Sequence, residues 1–455
     1  MVIKRRVFVI ICVCIITTIA FVFFFYENAK GTKKMRIGYS YVDITPPVGV
    51  ELCGYGYYPG RKAERINDPL FVRAVLFDDG KKKLLLLNCD LIALSQQIVD
   101  EVKQKIEDDL GIDKNHILIL STHTHTGPNT CDAEGIGERD AEYVKILPSL
   151  LVEAGNSAYK SIRRLKSVKQ IKTALEEKIG YNRTNPDIPS DEELRAIAFY
   201  FEKGNPLAIL STGCHPVTLG PAKVISADYP GCVTNEMEKA GYDSMFLNGF
   251  CGDIDPVSNI FRWGSGTQET IDEYGKIIAS TFLNAVQEVE TAKDMVIDSF
   301  EIPVKLNLVK YKNEDIDRIL EDYVDDKDLN PAKFRLVQSW ASKMKEHIGN
   351  SENPYERTLN VQVFQLGGVV FVGFPAEMFF SLAAPLKNAL PDKIVMALGN
   401  ANASTGYIAT IETIENLGYE GYESNFLYLS LPLEPGEGER LAATVAEQLK
   451  LNIYK

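Results

Sequence analysis

Histidine is scarce in this chain: five in 455 residues, at His116, His123, His125, His215 and His347. With so few available, any clustering among them carries weight. No two cysteines form a C-x-x-C pair, which excludes a zinc ribbon and a thioredoxin-like redox site. Of the eight cysteines, Cys12 and Cys14 fall in an N-terminal apolar run. Cys53, Cys89, Cys131, Cys214, Cys232 and Cys251 are scattered through the body, where spacing leaves open whether they pair. The body has no Lys/Arg-rich block, and 49 Lys+Arg against 62 Asp+Glu leave a formal charge of -13. Such a balance excludes nucleic acid as the main partner. Nor is there a tandem repeat or a Pro/Ser-rich linker inside the body. With 45% hydrophobic and 24% charged residues, the chain is neither wholly disordered nor fibrous.

What is present begins with an unusual terminus. Lys4-Arg5-Arg6 precede an uncharged apolar run over 7–26, and a polar stretch follows to Lys34. The run matches the ~20 residues of a membrane-spanning helix rather than the ~7–15 of a secretory h-region, and no convincing A-x-A cleavage site follows it. The basic cluster predicts a cytoplasmic N-terminus and a body outside, hence a signal-anchor over 7–26 within a tether of residues 1–34. The expected location is the cell membrane, single-pass, with the body extracytoplasmic, or secreted if the segment is cleaved.

Residues 35–455 read as one large α/β domain (mixed α+β), with mixed sheets flanked by helices. Apolar runs Phe71–Phe77 and Lys82–Cys89 flank Asp78-Asp79-Gly80, a hairpin signal. Ile98, Val102, Ile106 and Leu110 recur at helical spacing before Gly111. His116–Leu120 reads as a buried strand, and a helix begins near Arg139. Ile197–Phe201 with Ala208–Thr212, and Val361–Leu366 with Val369–Gly373, read as further hairpins. Helices are expected near Ile271–Val286 and through Leu441, Val445 and Leu449. The charged stretch near 310–356 reads as a peripheral helical insertion.

The chemistry concentrates at strand ends. Leu118-Ile119-Leu120 runs into Ser121-Thr122-His123-Thr124-His125-Thr126-Gly127-Pro128. In an extended chain, residues two apart share a face, so the pleat would bring two imidazoles together at the end of a rigid strand. That is a common way of presenting metal ligands. The pattern does not continue to H-x-H-x-D-H, so the metallo-β-lactamase arrangement is absent. His215 closes another apolar strand, and a metal site shared with His123 and His125 follows. His116 and His347 are expected to be bystanders. Glu377, Asp253, Asp255 and Asp90 each follow an apolar run in the same manner; any one alone is more commonly a turn or capping residue.

Thr122-His123-Thr124-His125-Thr126-Gly127-Pro128 resembles the T-H-T-H-S-G-P-G-G motif of the neutral, non-lysosomal ceramidases. The resemblance continues at Gly54-Tyr55-Gly56, Tyr181-Asn182-Arg183, His215-Pro216 and Gly252-Asp253-Ile254-Asp255-Pro256. It extends through Pro375-Ala376-Glu377, Gly406-Tyr407-Ile408-Ala409-Thr410 and Gly418-Tyr419-Glu420-Gly421. These segments stand in family order from about Gly38 to the C-terminal helix. Three departures accompany them. Asp255 stands where the family has Ser, Asn129-Thr130 replace paired glycines, and the chain closes without room for the family's C-terminal immunoglobulin-like domain.

The resemblance implies a Zn2+ ion held by His123, His215, Glu377 and Tyr407. It implies His125 as proton shuttle, Asp253 near the catalytic water, Arg183 near the substrate's polar head and Tyr419 at the oxyanion. The activity implied is that of a zinc-dependent hydrolase of linear amide C–N bonds, cleaving the N-acyl amide of ceramide or a related amphiphilic lipid. Two other readings stand beside it. One is an extracytoplasmic zinc hydrolase of a different amide or ester, such as a cell-envelope component. The other is a surface-anchored binding protein without turnover. Expected partners are the N-acyl substrate and, through the N-terminal helix, the membrane; oligomeric state is not legible.

Overall fold

The computed structural model describes residues 35–289 and 295–454. The tether read over 1–34, including the apolar run at 7–26, lies outside the described residues. Among the described residues no helix is long and apolar enough to cross a membrane.

The long apolar runs of this sequence form strands because both of their faces are covered. One mixed sheet comprises β1 (Arg36–Asp43), β2 (Phe71–Asp78), β3 (Lys83–Cys89), β4 (Ile117–Ser121), β5 (Arg163–Ala174), β6 (Glu193–Phe201), β7 (Leu207–Thr212) and β8 (Asp243–Asn248). Its spatial order is β8-β7-β6-β5-β1-β2-β3-β4. The pairs β3–β4 and β7–β8 run parallel, and the other neighbours are antiparallel. A second sheet runs in the order β9 (Ile297–Asn307), β10 (Glu356–Leu366), β11 (Val369–Gly373) and β12 (Ile394–Leu398).

The two-residue period of a strand divides each run between two cores. On β2 and β3, Val75, Phe77, Leu84 and Leu86 join Phe364, Val369, Phe371, Met396 and Leu398 in a core between the sheets. Alternate residues Val72, Ala74, Leu76, Leu85 and Leu87 turn outward onto the helices α1 (Gln96–Leu110) and α2 (Ala141–Lys160). Helices α3 (Asp228–Lys239) and α4 (Gln268–Glu288) cover the β6–β8 end of that outer face. Val370 and Val372 of the second sheet face the helices α5 (Pro331–Asn350) and α6 (Glu437–Ile453). The result is two sheets face to face with helices on both outer sides, the mixed α+β class expected from the sequence.

Local signals behave as their chemistry requires. Ser95 caps α1 by accepting from the Ile98 amide, and Gly111 ends it at φ 61, a left-handed conformation that glycine adopts without a Cβ penalty. Asp140 caps α2 through the Tyr143 amide. His116 lies in a short 3-10 turn before β4 rather than in the strand. The six described cysteines are all unpaired and buried, closing the question their spacing left open.

The stretch near 310–356 is helical, over Asn313–Asp322, Asp326–Leu329 and α5, and it is inserted between β9 and β10. It also contributes to a main core. Ile316, Leu336, Val337, Trp340 and Met344 are buried against residues of the second sheet and α6. The Trp340 indole N–H donates to the Ser430 carbonyl at 2.8 Å. Trp340→Ala is therefore expected to cost about 3–5 kcal/mol in urea unfolding, the range for emptying a large buried site. A loss near 0.5 kcal/mol would mean that these helices sit on the surface.

Candidate metal centre

β4 ends at Ser121, and the chain then leaves the sheet. His123 takes a φ of 72, a left-handed conformation that costs a non-glycine residue on the order of 1–3 kcal/mol unless its surroundings fix it. They do: its amide donates to the Leu91 carbonyl at 2.9 Å, and its Nδ1 lies 2.7 Å from the Ile92 carbonyl. The convergence of His123 and His125 expected from the strand pleat therefore arises differently. Their rings come within 4.9 Å through this backbone turn, not through strand alternation.

His215 arrives from the end of β7, where Gly213 passes so close to Phe250 that an added Cβ would stand 2.5 Å from its carbonyl oxygen. The His215 Nδ1 lies 2.5 Å from the Cys251 carbonyl. For both His123 and His215, the backbone carbonyl holds the proton on Nδ1 and leaves Nε2 with a free lone pair, the arrangement a ligating imidazole needs. Nε2 of His123 is 3.0 Å and Nε2 of His215 is 3.3 Å from Oε2 of Glu377.

Glu377 enters from the opposite sheet. After β11 the chain forms a short parallel pair, Glu377–Met378 with Tyr407–Ile408, in which Glu377 stands directly beside Tyr407. The other carboxylate oxygen of Glu377 accepts a hydrogen bond from the Tyr428 hydroxyl. Burial would raise the Glu377 pKa, but the two imidazoles overcome that and hold it well below the usual carboxylate range. His125 is pushed well below the ordinary histidine value by burial, and next by His123 and His215. Burial works against a charge on His123 too, but Glu377 raises its value above the ordinary one, whereas burial lowers that of His215.

The fit to a cation rests on polar atoms without partners. Nε2 of His123, Nε2 of His215, Oε2 of Glu377 and both ring nitrogens of His125 are buried and accept or donate no hydrogen bond. The three histidines offer nitrogens within 4.8 Å of one another. Leaving several buried polar atoms unsatisfied costs about 1–3 kcal/mol each. A divalent cation bound by His123, His215 and Glu377, with Tyr407 alongside, satisfies several at once. His125 differs from the other two because no carbonyl fixes its tautomer.

A cavity of about 750 Å³ opens from this cluster, and His125, Tyr407, Arg183, Asp253, Asp255 and Tyr419 all line it. Asp253 is fixed from two sides, by the Asn182 side-chain amide at 2.6 Å and the Phe380 backbone amide at 2.7 Å. The Tyr407 and Tyr419 rings lie 6.0 Å apart. His125, Arg183, Asp253, Asp255, Tyr407 and Tyr419 thus share one cavity, while His123, His215 and Glu377 meet one another beside His125. Asp90 stands apart: it is paired with Arg73 at 2.8 Å, and its Oδ2 also accepts from the Phe71 amide. His116 and His347 also stand apart, His347 held by the Pro354 carbonyl and by Ser351.

Several supporting residues carried no sequence signal. Tyr428 follows no motif, yet its ring packs against Gly406, where a Cβ would meet it at 2.9 Å. Arg61 donates to the carbonyls of Cys53 at 2.6 Å and His125 at 2.5 Å, tying the Gly54 loop to the histidine turn. Gly54 itself, at φ 122, leaves no room: a Cβ would stand 2.5 Å from the His125 ring. Asn129 and Thr130 stabilise their loop directly, Asn129 through the Gly137 carbonyl and Thr130 through the Ala93 carbonyl, each at 2.6 Å.

Comparison with known proteins agrees with this architecture. Residues 35–136 match the family model described as neutral/alkaline non-lysosomal ceramidase, N-terminal. The crystal structure of neutral ceramidase from Pseudomonas aeruginosa superposes with a TM-score of 0.67 at 20% identity, covering 92% of this chain and 75% of that one. A structure of a ceramidase complexed with C2 gives 0.68 at 18% identity, covering 92% and 74%.

Two outcomes follow from the geometry. Treatment with a chelator should lower the unfolding midpoint of the native protein while leaving that of His123→Ala unmoved; equal shifts in both would place the cation elsewhere. Gly54→Ala should retain bound metal by elemental analysis while displacing His125. A variant with an unperturbed His125 imidazole resonance would contradict the contact. The resemblance to the neutral/alkaline non-lysosomal ceramidases carried by the motifs is borne out by family model over residues 35–136 and by fold across the described chain.

Proposed function

We propose that this protein is a zinc-dependent amidohydrolase that cleaves the N-acyl amide of ceramide or a related amphiphilic lipid. The observation that carries the reading is the set of unpartnered buried donors of His123, His215 and Glu377, next to an open cavity. His₂-carboxylate donor sets are typical of hydrolytic zinc. Bound there, zinc supplies Lewis acidity to a water and to the scissile carbonyl at neutral pH.

The chain's own residues account for the remaining requirements of amide hydrolysis. His125 presents its Cγ–Nδ1 edge to Gly54, which leaves Nε2 as the atom that takes a proton from the attacking water. From the same atom the proton passes to the leaving nitrogen, without which an amine departs poorly. Neutral His125, as its depressed pKa requires, is competent for the first of these transfers. Tyr419 lines the cavity beside Tyr407 and is suited to donate to the developing oxyanion. Asp253, held rigidly by Asn182 and Phe380, orients polar groups by position and charge.

An amphiphilic substrate suits the cavity mouth. Trp263, half-exposed, lines it and meets Tyr55 edge-on at 4.8 Å; Tyr58 lines it as well. Phe261, two residues before Trp263, is 99% exposed. Such a rim favours an acyl chain presented from an apolar phase. In this proposal the 7–26 segment anchors the body outside the bilayer that holds the substrate.

The test is a screen of the zinc-loaded protein against ceramides, N-acyl amino acids and N-acetylated sugars, with release of free amine measured. Cleavage of N-acyl lipids is expected, and none would refute the proposal. Tyr419→Phe should lower kcat roughly 10²-fold with zinc content unchanged, as loss of one oxyanion donor does.

A further inference from the structure

Among the described residues, Arg183 is the only lysine or arginine lining the cavity, and its guanidinium is already engaged. Nη1 donates to Oδ1 of Asp255 at 2.9 Å. Nε donates to Oε1 of Glu420 at 3.0 Å, and Nη2 lies 2.9 Å from the same oxygen. The remaining neighbour of Nη2 is the Tyr407 hydroxyl at 3.4 Å. Both carboxylates are buried, with Asp255 2% and Glu420 7% exposed.

Backbone register builds this arrangement. Ile254–Pro256 pairs antiparallel with Gly180–Asn182 and sets Asp255 opposite Tyr181, two residues before Arg183. The Arg183 amide donates to the Asp253 carbonyl at 2.8 Å, closing the same pairing. The aspartate therefore meets the arginine as a consequence of strand pairing, at the position where the resemblance to the ceramidases would put a serine. Around them, Asp253, Asp255, Glu412 and Glu420 outnumber the single cation among the lining residues. Thr184, Asn185, Thr413 and Asn416 add neutral hydrogen-bonding groups.

We propose that Asp255, acting with Glu420, restricts the head end of the cavity to N-acylated amines whose head is uncharged or cationic and rich in hydrogen-bond donors, such as amino alcohols. An N-acyl compound ending in a carboxylate is rejected. To reach Arg183 such an anion must displace a buried carboxylate and leave it unpaired, a heavily penalised state. Hydroxyl or ammonium donors instead find acceptors already in place. The excess negative charge, focused by the cavity walls, acts in the same direction. This inference rests on the amidase reading but concerns the head of the substrate rather than the bond cleaved.

The test separates the two. Hydrolysis-resistant sulfonamide analogues with one acyl chain, one ending in an amino diol and the other in an amino-acid carboxylate, are titrated calorimetrically into the zinc-loaded protein. The native protein should favour the diol by at least about tenfold, the equivalent of 1.4 kcal/mol. Asp255→Asn, which keeps the shape and removes the charge, should narrow that ratio several-fold. Glu420→Gln should narrow it in the same direction and serves if Asp255→Asn fails to fold. Equal binding of the two analogues by the native protein, or a ratio unmoved in a folded variant, overturns the inference even if amides are cleaved. The expected ranking with no cleavage of either parent amide upholds the inference and refutes the amidase. Absence of binding by either analogue refutes both.

Discussion

Glu377 is the group on which the centre depends. Its carboxylate lies between two imidazoles whose far nitrogens are held by backbone carbonyls, and its second oxygen is held by Tyr428. Each contact removes a degree of freedom, so the three inward-facing donor atoms are aimed before any ligand arrives. Preorganisation of this kind keeps the reorganisation of the protein small when charge develops. The histidines come from loops beyond β4 and β7 of the first sheet, and Glu377 from beyond β11 of the second. The interface between the sheets therefore controls the distance between ligands, and the dry core formed by Phe371, Leu398 and their neighbours makes that distance hard to change.

The surroundings of the centre divide into two electrostatic zones. Around the histidines, several buried polar atoms lack hydrogen-bond partners. Around Arg183, every strong group already has a partner. The first zone has bonding capacity in reserve, whereas the second has almost none and selects by what it refuses. The two zones border one cavity, through His125 at one and Arg183 at the other.

Much of this was legible in the sequence, for identifiable reasons. Hairpins at Asp78–Gly80 and Gly367–Gly368 were readable because turn chemistry is local, and α1 because its apolar spacing ends on Gly111. The site residues were readable as short motifs in family order. What escaped depended on long-range geometry. Nothing in the spacing around Tyr428 or Arg61 shows that one holds a carboxylate and the other a loop carbonyl. The left-handed turn at His123 was invisible because histidine gives no signal for positive φ, and a correct expectation of convergence rested on the wrong geometry. The helices near 310–356 looked peripheral because their charge hides a narrow buried stripe through Ile316, Val337 and Trp340.

That excursion also bears on the order of assembly. β9 and β10 pair without interruption from Ile297 with Leu366 to Asn307 with Glu356, yet the chain between them includes three helices. Closing a loop of that size costs a few kcal/mol before the pairing can repay it. The hairpin of β2 and β3 has only a short turn to close. Both sheets can thus begin from local hairpins, β2 with β3 and β10 with β11, while β9 joins β10 only across the inserted helices. Since the histidines follow strands of the first sheet and Glu377 a strand of the second, the centre is complete only once the two sheets have packed. The ligand geometry is therefore among the last features such a chain acquires.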